Sequence, residues 1–351
     1  MEEQKNALGM LDLLTAPGFC VKENKIIKVN AAAAALLFEE GMDVSAMLSS
    51  GSSEYKAFSH GCLCLSVEKD GHIWNASVTR QQDMDVFVLE PDAPQSELQA
   101  LALAARELRA PLNSTMLMAD KLLSQEDPEV RDQAARLNRG LYQLLRIVGN
   151  MSDAGYTPTS ARHSLHNINT VMDEIFQKAQ LLTEAAGLTL QYQGPQESIS
   201  CLCDPQRLER SVNNILSNAI KFTPKGGNIH ASLTQSGNML RLSIQDSGSG
   251  IGDALMRSVF YRYLRQPALE DSRYGIGLGM VLVRSVATEH GGTVLIDQPE
   301  GTGTRVTLTI AIRQEEPRLS SNILYPVSGG YDPGLIEFSE VLPAAMYDGT
   351  K

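Results

Sequence analysis

Asn214, Asn218 and Lys221 are spaced four and then three residues apart in SVNNILSNAIKF. On a helix that spacing puts all three on one side. Carboxamide oxygens suit a hard cation such as Mg2+, and a neighbouring ammonium suits phosphate oxygens. Downstream, QDSGSGIG carries Asp246 followed by Gly248, Gly250 and Gly252. A carboxylate at a strand end accepts from an exocyclic amine such as that of adenine, and the glycines permit close backbone approach. A third segment, YGIGLGM, places Gly275, Gly277 and Gly279 where a helix opens. The free N–H groups and positive dipole end there attract phosphate. Each pattern alone also has an ordinary reading, as solvent-facing asparagines or an Asp-Gly turn. Their order along one stretch, from Cys203 to Gly279, points to a nucleotide pocket. No strand directly precedes the third glycine set and no GK[ST] occurs, so neither a Rossmann nor a Walker loop fits.

These residues need a scaffold, and residues 159–313 supply one. The pattern predicts a helix over 166–187, strands over 188–193 and 198–203, and a helix capped by Asp204 and running to Phe222. Two strands follow, 227–235 and 239–246, joined by the tight turn Ser236-Gly237-Asn238. A helix over 275–290 and strands over 293–298 and 303–312 complete an α/β sandwich, with helices on one face of a mixed sheet.

Upstream, Leu101, Ala105, Leu108, Leu112, Thr115, Ala119 and Leu122 recur at spacings of four and three. After a polar break at 124–128, Val130, Ala134, Leu137, Leu141, Leu144, Val148 and Met151 repeat the pattern. This is a coiled-coil seam folded into an antiparallel hairpin over residues 93–158. A lone hairpin cannot bury its whole seam, so pairing with a second copy is expected; the alternative is a helical linker within a monomer. Residues 1–92 read as a small mixed domain: two short strands around Glu23-Asn24-Lys25, a helix capped by Asn30, then three strands with a hairpin at Asp70-Gly71. Residues 314–351, rich in proline, glycine and acid, read as a tail with short docking segments such as Leu335, Ile336 and Phe338.

A net charge of −11 argues against a nucleic-acid or anionic-membrane surface. No run has the length of a membrane span and MEEQKNALGM lacks a signal-peptide core, so a cytoplasmic protein is expected. Cys20, Cys62, Cys64, Cys201 and Cys203 are odd in number and form no CxxC pair; buried thiols are expected, with no disulfide framework or standard zinc site. His60 and His72 are isolated and are expected to be surface or capping residues, not haem ligands.

SVNNILSNAIKFTP, DSGSGI, VFYRYL, GIGLGM and GTGT resemble the N, glycine, F, second glycine and glycine-threonine boxes of sensor histidine kinases of two-component systems. The resemblance implies a Bergerat-type ATP-binding domain over 159–313. It implies Asn214 and Asn218 for Mg2+ and phosphate, with Asn218 as metal ligand, Lys221 for phosphates and Asp246 for adenine. Gly248, Gly250, Gly275, Gly277, Leu278, Gly279 and Thr304 would line the nucleotide, and residues 261–274 would form a lid. The opening hairpin PGFCVKENKIIKVNAAAAALL is similar to that of PAS domains. The helical hairpin resembles the family's dimerisation and phosphotransfer domain, a four-helix bundle in the dimer. The fold class is thus α+β multidomain, with ATP and Mg2+ as cofactors and a response-regulator receiver domain as partner.

The resemblance fails at one position. The phosphoacceptor motif has the form His-Glu-Leu-Arg-x-Pro-Leu, and this chain has Arg106-Glu107-Leu108-Arg109-Ala110-Pro111-Leu112. An imidazole nitrogen attacks a phosphorus while Glu107 polarises the ring; a guanidinium stays protonated and has no lone pair to attack with. Autophosphorylation at the usual site is therefore excluded, and His163, His166, His230 and His290 all lie off the first helix. Three expectations follow. One is a pseudokinase, as a homodimer or as the partner of a His-bearing kinase; the second is a response-regulator phosphatase or nucleotide-switched scaffold. The third, a plain ATPase, is poorly supported because Asn214 stands where such enzymes carry a glutamate base.

Overall fold

The computed structural model describes residues 11, 12, 14–81, 83–90, 95–154, 163–252, 256, 278–299, 303–313 and 331–349. Strands β1 (Gly18–Lys22) and β2 (Lys25–Val29) form a hairpin. Glu23 and Asn24 both take positive φ, 49° and 66°, as the twist-matched two-residue turn requires. Buried Asn30 then organises the chain around it. Its Oδ1 accepts from Ala33 N (2.9 Å), capping α1 (Ala31–Ala35), and from Gly18 N (3.0 Å), while Nδ2 donates to Ala16 O (2.8 Å). Helix α2 (Ser52–Ala57) and strands β3 (Cys62–Lys69), β4 (His72–Gln81) and β5 (Met84–Leu89) follow, with β3 and β4 turning at Asp70-Gly71. Phe19 stacks between Phe38 and Phe87, at 5.2 and 5.0 Å between ring centres.

Helices α3 (Gln95–Leu123) and α4 (Pro128–Ala154) pack along each other across a four-residue turn. Asp127 starts α4 by accepting from Glu129 N at 2.9 Å. Ala105, Leu112, Met116, Ala119 and Leu123 of α3 are buried. The expected seam is split, however: Leu108, Leu122, Leu137 and Leu144 remain 43–49% exposed. Within one chain the hairpin therefore leaves these four leucines of its apolar stripe uncovered.

The third part contains β6 (Ser164–Asn167), α5 (Ile168–Ala185), β7 (Thr189–Gln193), β8 (Ser200–Cys203), α6 (Pro205–Phe222), β9 (Asn228–Ser236), β10 (Met239–Asp246), α7 (Leu278–Glu289), β11 (Val294–Asp297) and β12 (Arg305–Ala311). The helix expected from residue 166 starts at Ile168 instead. His166 and Asn167 pair in β6 with Cys201 and Ser200, and Asn167 caps the helix by accepting from Asn169 N at 3.1 Å. Asp204 caps α6 by accepting from Gln206 N and Arg207 N at 3.1 and 3.2 Å, with Pro205 in the first turn. All five cysteines are buried free thiols.

One feature had no counterpart in the sequence reading, and a second goes further than the docking segments expected at Leu335, Ile336 and Phe338. Strand β3 pairs antiparallel with β11, so one ten-stranded sheet runs β2-β1-β5-β4-β3-β11-β12-β10-β9-β7 through the first and third parts. Residues 331–349 are also no loose tail. Helix α8 (Pro333–Glu337) and a 3-10 turn (Ala344–Tyr347) seat Phe338, Ser339 and Leu342 with no exposed surface. Arg139 of α4 donates to Ser339 O (2.9 Å) and Glu340 O (3.0 Å), and Asn138 to Tyr347 O (3.0 Å).

Candidate nucleotide site

Helix α6 is the site's floor. Asn214 is fully buried; its Nδ2 donates to Arg210 O at 3.0 Å, and its Oδ1 has no hydrogen-bond partner among the described residues. A buried carbonyl oxygen left in that state is costly unless something bonds to it. Gly279, in the first turn of α7, faces the same atom: a Cβ there would sit 2.5 Å from Asn214 Oδ1. The glycine thus lets the opening of α7 approach α6 more closely than any side chain allows. Asn218 and Lys221 are half-buried on the same side of α6. Lys221 Nζ lies 2.6 Å from Glu340 Oε2.

Asp246 closes the other end. It terminates β10, buried, and its Oδ1 accepts from Gly248 N at 2.8 Å and Thr304 N at 3.2 Å. Burial pushes its carboxyl pKa up, and these backbone donors oppose the shift. Gly303 has φ 101° and a Cβ there would fall 1.9 Å from Asp246 O, so only glycine lets the chain at Gly303 and Thr304 lie across the strand end. A Cβ at Gly248 would meet Phe222 O at 2.5 Å, which ties this turn to the end of α6. Gly250, at φ 78°, packs on Gln298. Gly252 is open.

The structure therefore brings Asn214 to Gly279, and Asp246 to Gly248 and Thr304. Leu278 opens α7. Gly275, Gly277, the VFYRYL segment and the expected lid at 261–274 lie outside the described residues. Arg106 and Glu107 stand exposed on α3. Arg109 lines a cavity of about 170 Å³ with Asn113, Gly149, Gln206, Arg210 and Glu337, where the helical hairpin meets α6 and α8.

None of the other histidines is placed as an acceptor. His290 is buried; its Nε2 accepts from Asp204 N at 3.2 Å and its Nδ1–H donates to Val286 O at 2.7 Å. Burial pushes its pKa down to about 4, so the ring is neutral. His163 meets it edge-to-face at 4.7 Å, His166 bonds Ser164 at 2.7 Å, and His230 is exposed on β9. His60 is exposed near Asp297, and His72 lies on Trp74 at 4.2 Å.

Sequence reading missed the charged network around α6. Arg210 pairs with Asp153 at the end of α4 and with Glu337 (3.3 Å). Arg146 reaches Glu337 and Glu340, each at 3.1 Å, and Arg207 pairs with Glu289 at 2.6 Å. The partners come from distant segments, so no spacing marks them. The one local signal was two glutamates three apart in an apolar stretch.

Residues 203–314 match the family model described as histidine kinase-, DNA gyrase B- and HSP90-like ATPase. Among curated proteins, hybrid signal transduction histidine kinase D of Dictyostelium discoideum is 30% identical over 225 residues, covering 61% of this chain and 15% of that protein. Histidine protein kinase DivJ of Caulobacter vibrioides is 26% identical over 219 residues, covering 60% and 37%. The chain thus spans well under half the length of either relative. Full-length ShkA, solved in complex with AMPPNP, superposes with a TM-score of 0.50 at 21% identity, covering 61% of this chain and 46% of that one, and shares the fold. The sandwich around Asp246 and Asn214 is of the Bergerat ATPase type. Residues 203–314 are thus similar to an ATP-binding domain of that family, and the relatives that match are histidine kinases. Among the described residues no helix is long and apolar enough to cross a membrane.

Proposed function

We propose that the chain is a Mg-ATP-binding sensor histidine kinase homologue that does not phosphorylate its own first helix. The observation that carries the reading is the buried Oδ1 of Asn214, without a partner among the described residues and facing the cradle at Gly279, in the same domain as the backbone-held carboxylate of Asp246. These residues fit the nucleotide: Asp246 accepts from the adenine amine, Asn214 and Asn218 offer oxygens to Mg2+, and Lys221 offers charge to the phosphates. ATP would supply a transferable phosphoryl group. The chain's own contribution is positioning and charge neutralisation, and at the usual acceptor position it presents a guanidinium instead of an imidazole.

In this reading residues 1–92 are a PAS-like sensor domain, 93–158 the dimerisation hairpin and 159–313 the catalytic domain. The exposed leucines Leu108, Leu122, Leu137 and Leu144 support a four-helix bundle with a second copy or with a His-bearing kinase. A response-regulator receiver domain is the downstream partner. The chain then acts as a pseudokinase, and nucleotide sets the shape of the dimer.

The test is incubation of the natural protein and its Arg106→His variant with γ-labelled ATP, followed by acid and base treatment. Acid-labile, base-stable label on the variant alone is expected. Label on the natural chain overturns the reading of Arg106.

A further inference from the structure

We infer that the C-terminal segment 331–349 is a built-in brake on the nucleotide site, with the Glu340 carboxylate competing with nucleotide phosphate for Lys221. This regulation rests on the Mg-ATP reading of the site. The segment is anchored firmly enough to hold a competing charge in place. Phe338, Ser339 and Leu342 have no exposed surface, Ser217 Oγ of α6 donates to Glu337 O (3.0 Å), and Gln143 of α4 donates to Ser339 O (3.1 Å). Glu337 is buried between Arg146 and Arg210, with oxygens 3.1 and 3.3 Å from them. Those pairs fix where the next helical turn emerges, and Glu340 emerges there with one oxygen 2.6 Å from Lys221 Nζ.

Two facts separate a brake from a structural clip. Glu337 ties the segment to Arg146 of α4 and Arg210 of α6, and Ser339 O and Glu337 O accept further bonds from those helices, so the clip keeps these ties when the Glu340–Lys221 pair is lost. Lys221 also shares its side of α6 with Asn214 and Asn218, the side that meets the opening of α7 through Gly279. An ammonium held by a carboxylate is both partly neutralised and drawn toward the strap. Burial works against ionisation of Glu340, but Arg146 and Lys221 outweigh it and hold the carboxyl below its ordinary range, so the charge is present at neutral pH. Linkage makes the coupling reciprocal: whatever takes Lys221 loosens the strap, and whatever lifts the strap frees Lys221.

The experiment is a calorimetric titration of the full chain and its Glu340→Gln variant with a non-hydrolysable ATP analogue in Mg2+, and with adenosine as a probe without phosphates. Glutamine keeps the size and can still accept from Arg146. The expected result is affinity about fivefold tighter for the analogue in Glu340→Gln, the scale of one partly exposed ion pair, with adenosine unchanged. In a Lys221→Gln background the same Glu340→Gln change is expected to have no effect. Amide exchange is expected to show residues 331–349 protected in the free protein and less protected at saturating analogue. If the natural chain binds the analogue and Glu340→Gln binds it equally, the brake is overturned and the nucleotide site stands. If Glu340→Gln tightens adenosine and the analogue alike, the strap acts by another route and the competition is overturned. If neither chain binds analogue or adenosine, the Mg-ATP reading falls and takes the brake with it.

Discussion

Cys64 in β3 pairs antiparallel with Val294 in β11, and that register joins the sheet of the first 90 residues to the sheet that carries Asp246. The seam has little tolerance. Gly61 has φ 95°, and a Cβ there would lie 2.2 Å from Ile296 O; a Cβ at Gly51 would lie 2.5 Å from Thr293 Cγ2. Beside it, Arg284 of α7 pairs with Glu90. The first 90 residues and the part that carries α7 and Asn214 are thus joined through paired backbone.

Breaking that seam is therefore expected to cost stability. Gly61→Val requires a β-branched residue at positive φ against a carbonyl, and a loss of about 2–4 kcal/mol is expected. Urea unfolding measures the loss, and faster amide exchange in β3 and β11 locates it. Unchanged exchange there would mean the two sheets are not paired in solution.

The close approach at Gly279 gives the second expectation. Gly279→Ala places a methyl group 2.5 Å from Asn214 Oδ1 and must displace one helix or the other. Mg-ATP binding is expected to weaken at least tenfold, with helical circular dichroism preserved. Equal affinity would remove the Asn214–Gly279 contact from the site.

Asp246 separates binding from stability. Its folded pKa is raised above the ordinary 3.8, so its favourable contribution is present below that value and is lost as pH rises through the folded pKa. At pH 7 the ionised carboxylate is a burden to the empty fold. Asp246→Asn keeps an acceptor for Gly248 and Thr304, so it is expected to melt at or above the natural temperature at pH 7, the advantage fading as pH falls through the raised pKa toward 3.8. The same variant turns a donor toward the adenine amine, and nucleotide affinity is expected to drop more than tenfold. Retained affinity would move adenine elsewhere.

His290 makes the third part of the chain sensitive to acid. Its pKa is lowered from 6.5 to about 4, first by burial and then by His163, Arg207 and Arg313, against the Val286 carbonyl. The unfolded chain binds a proton that the folded chain refuses, so stability is lost as pH falls from 6.5 toward 4, by about 3 kcal/mol at ~1.4 kcal/mol per pH unit. His290→Gln, which can still accept from Asp204 N, is expected to flatten that slope in denaturant titrations. An unaltered slope would put the proton on another group.

The uncovered leucines of the hairpin lead to a test of assembly. Leu108→Glu with Leu144→Glu places charges in the half-exposed stripe and not in the buried one. The double variant is expected to sediment as a monomer with its circular dichroism intact, where the natural chain sediments as a dimer. A natural chain that is already monomeric would remove the bundle from the proposal.

Local chemistry was legible from the residues. The cap at Asp204, the turns at Glu23-Asn24 and Asp70-Gly71, and the glycines that allow close contact are each decided within a few residues, and spacing alone put Asn214, Asn218 and Lys221 on one side of a helix. Arg106 is likewise a matter of residue type, since no fold gives a guanidinium the lone pair of an imidazole. What the tertiary structure decided lies at long sequence separation. That β3 adds to β11, that residues 331–349 fill the angle between α4 and α6, and that Glu340 reaches Lys221 all depend on which surfaces remain to be buried once the separate units have formed. Strand edges and charged side chains carry no periodic mark of their partner; they pair with whatever the packed core leaves within reach.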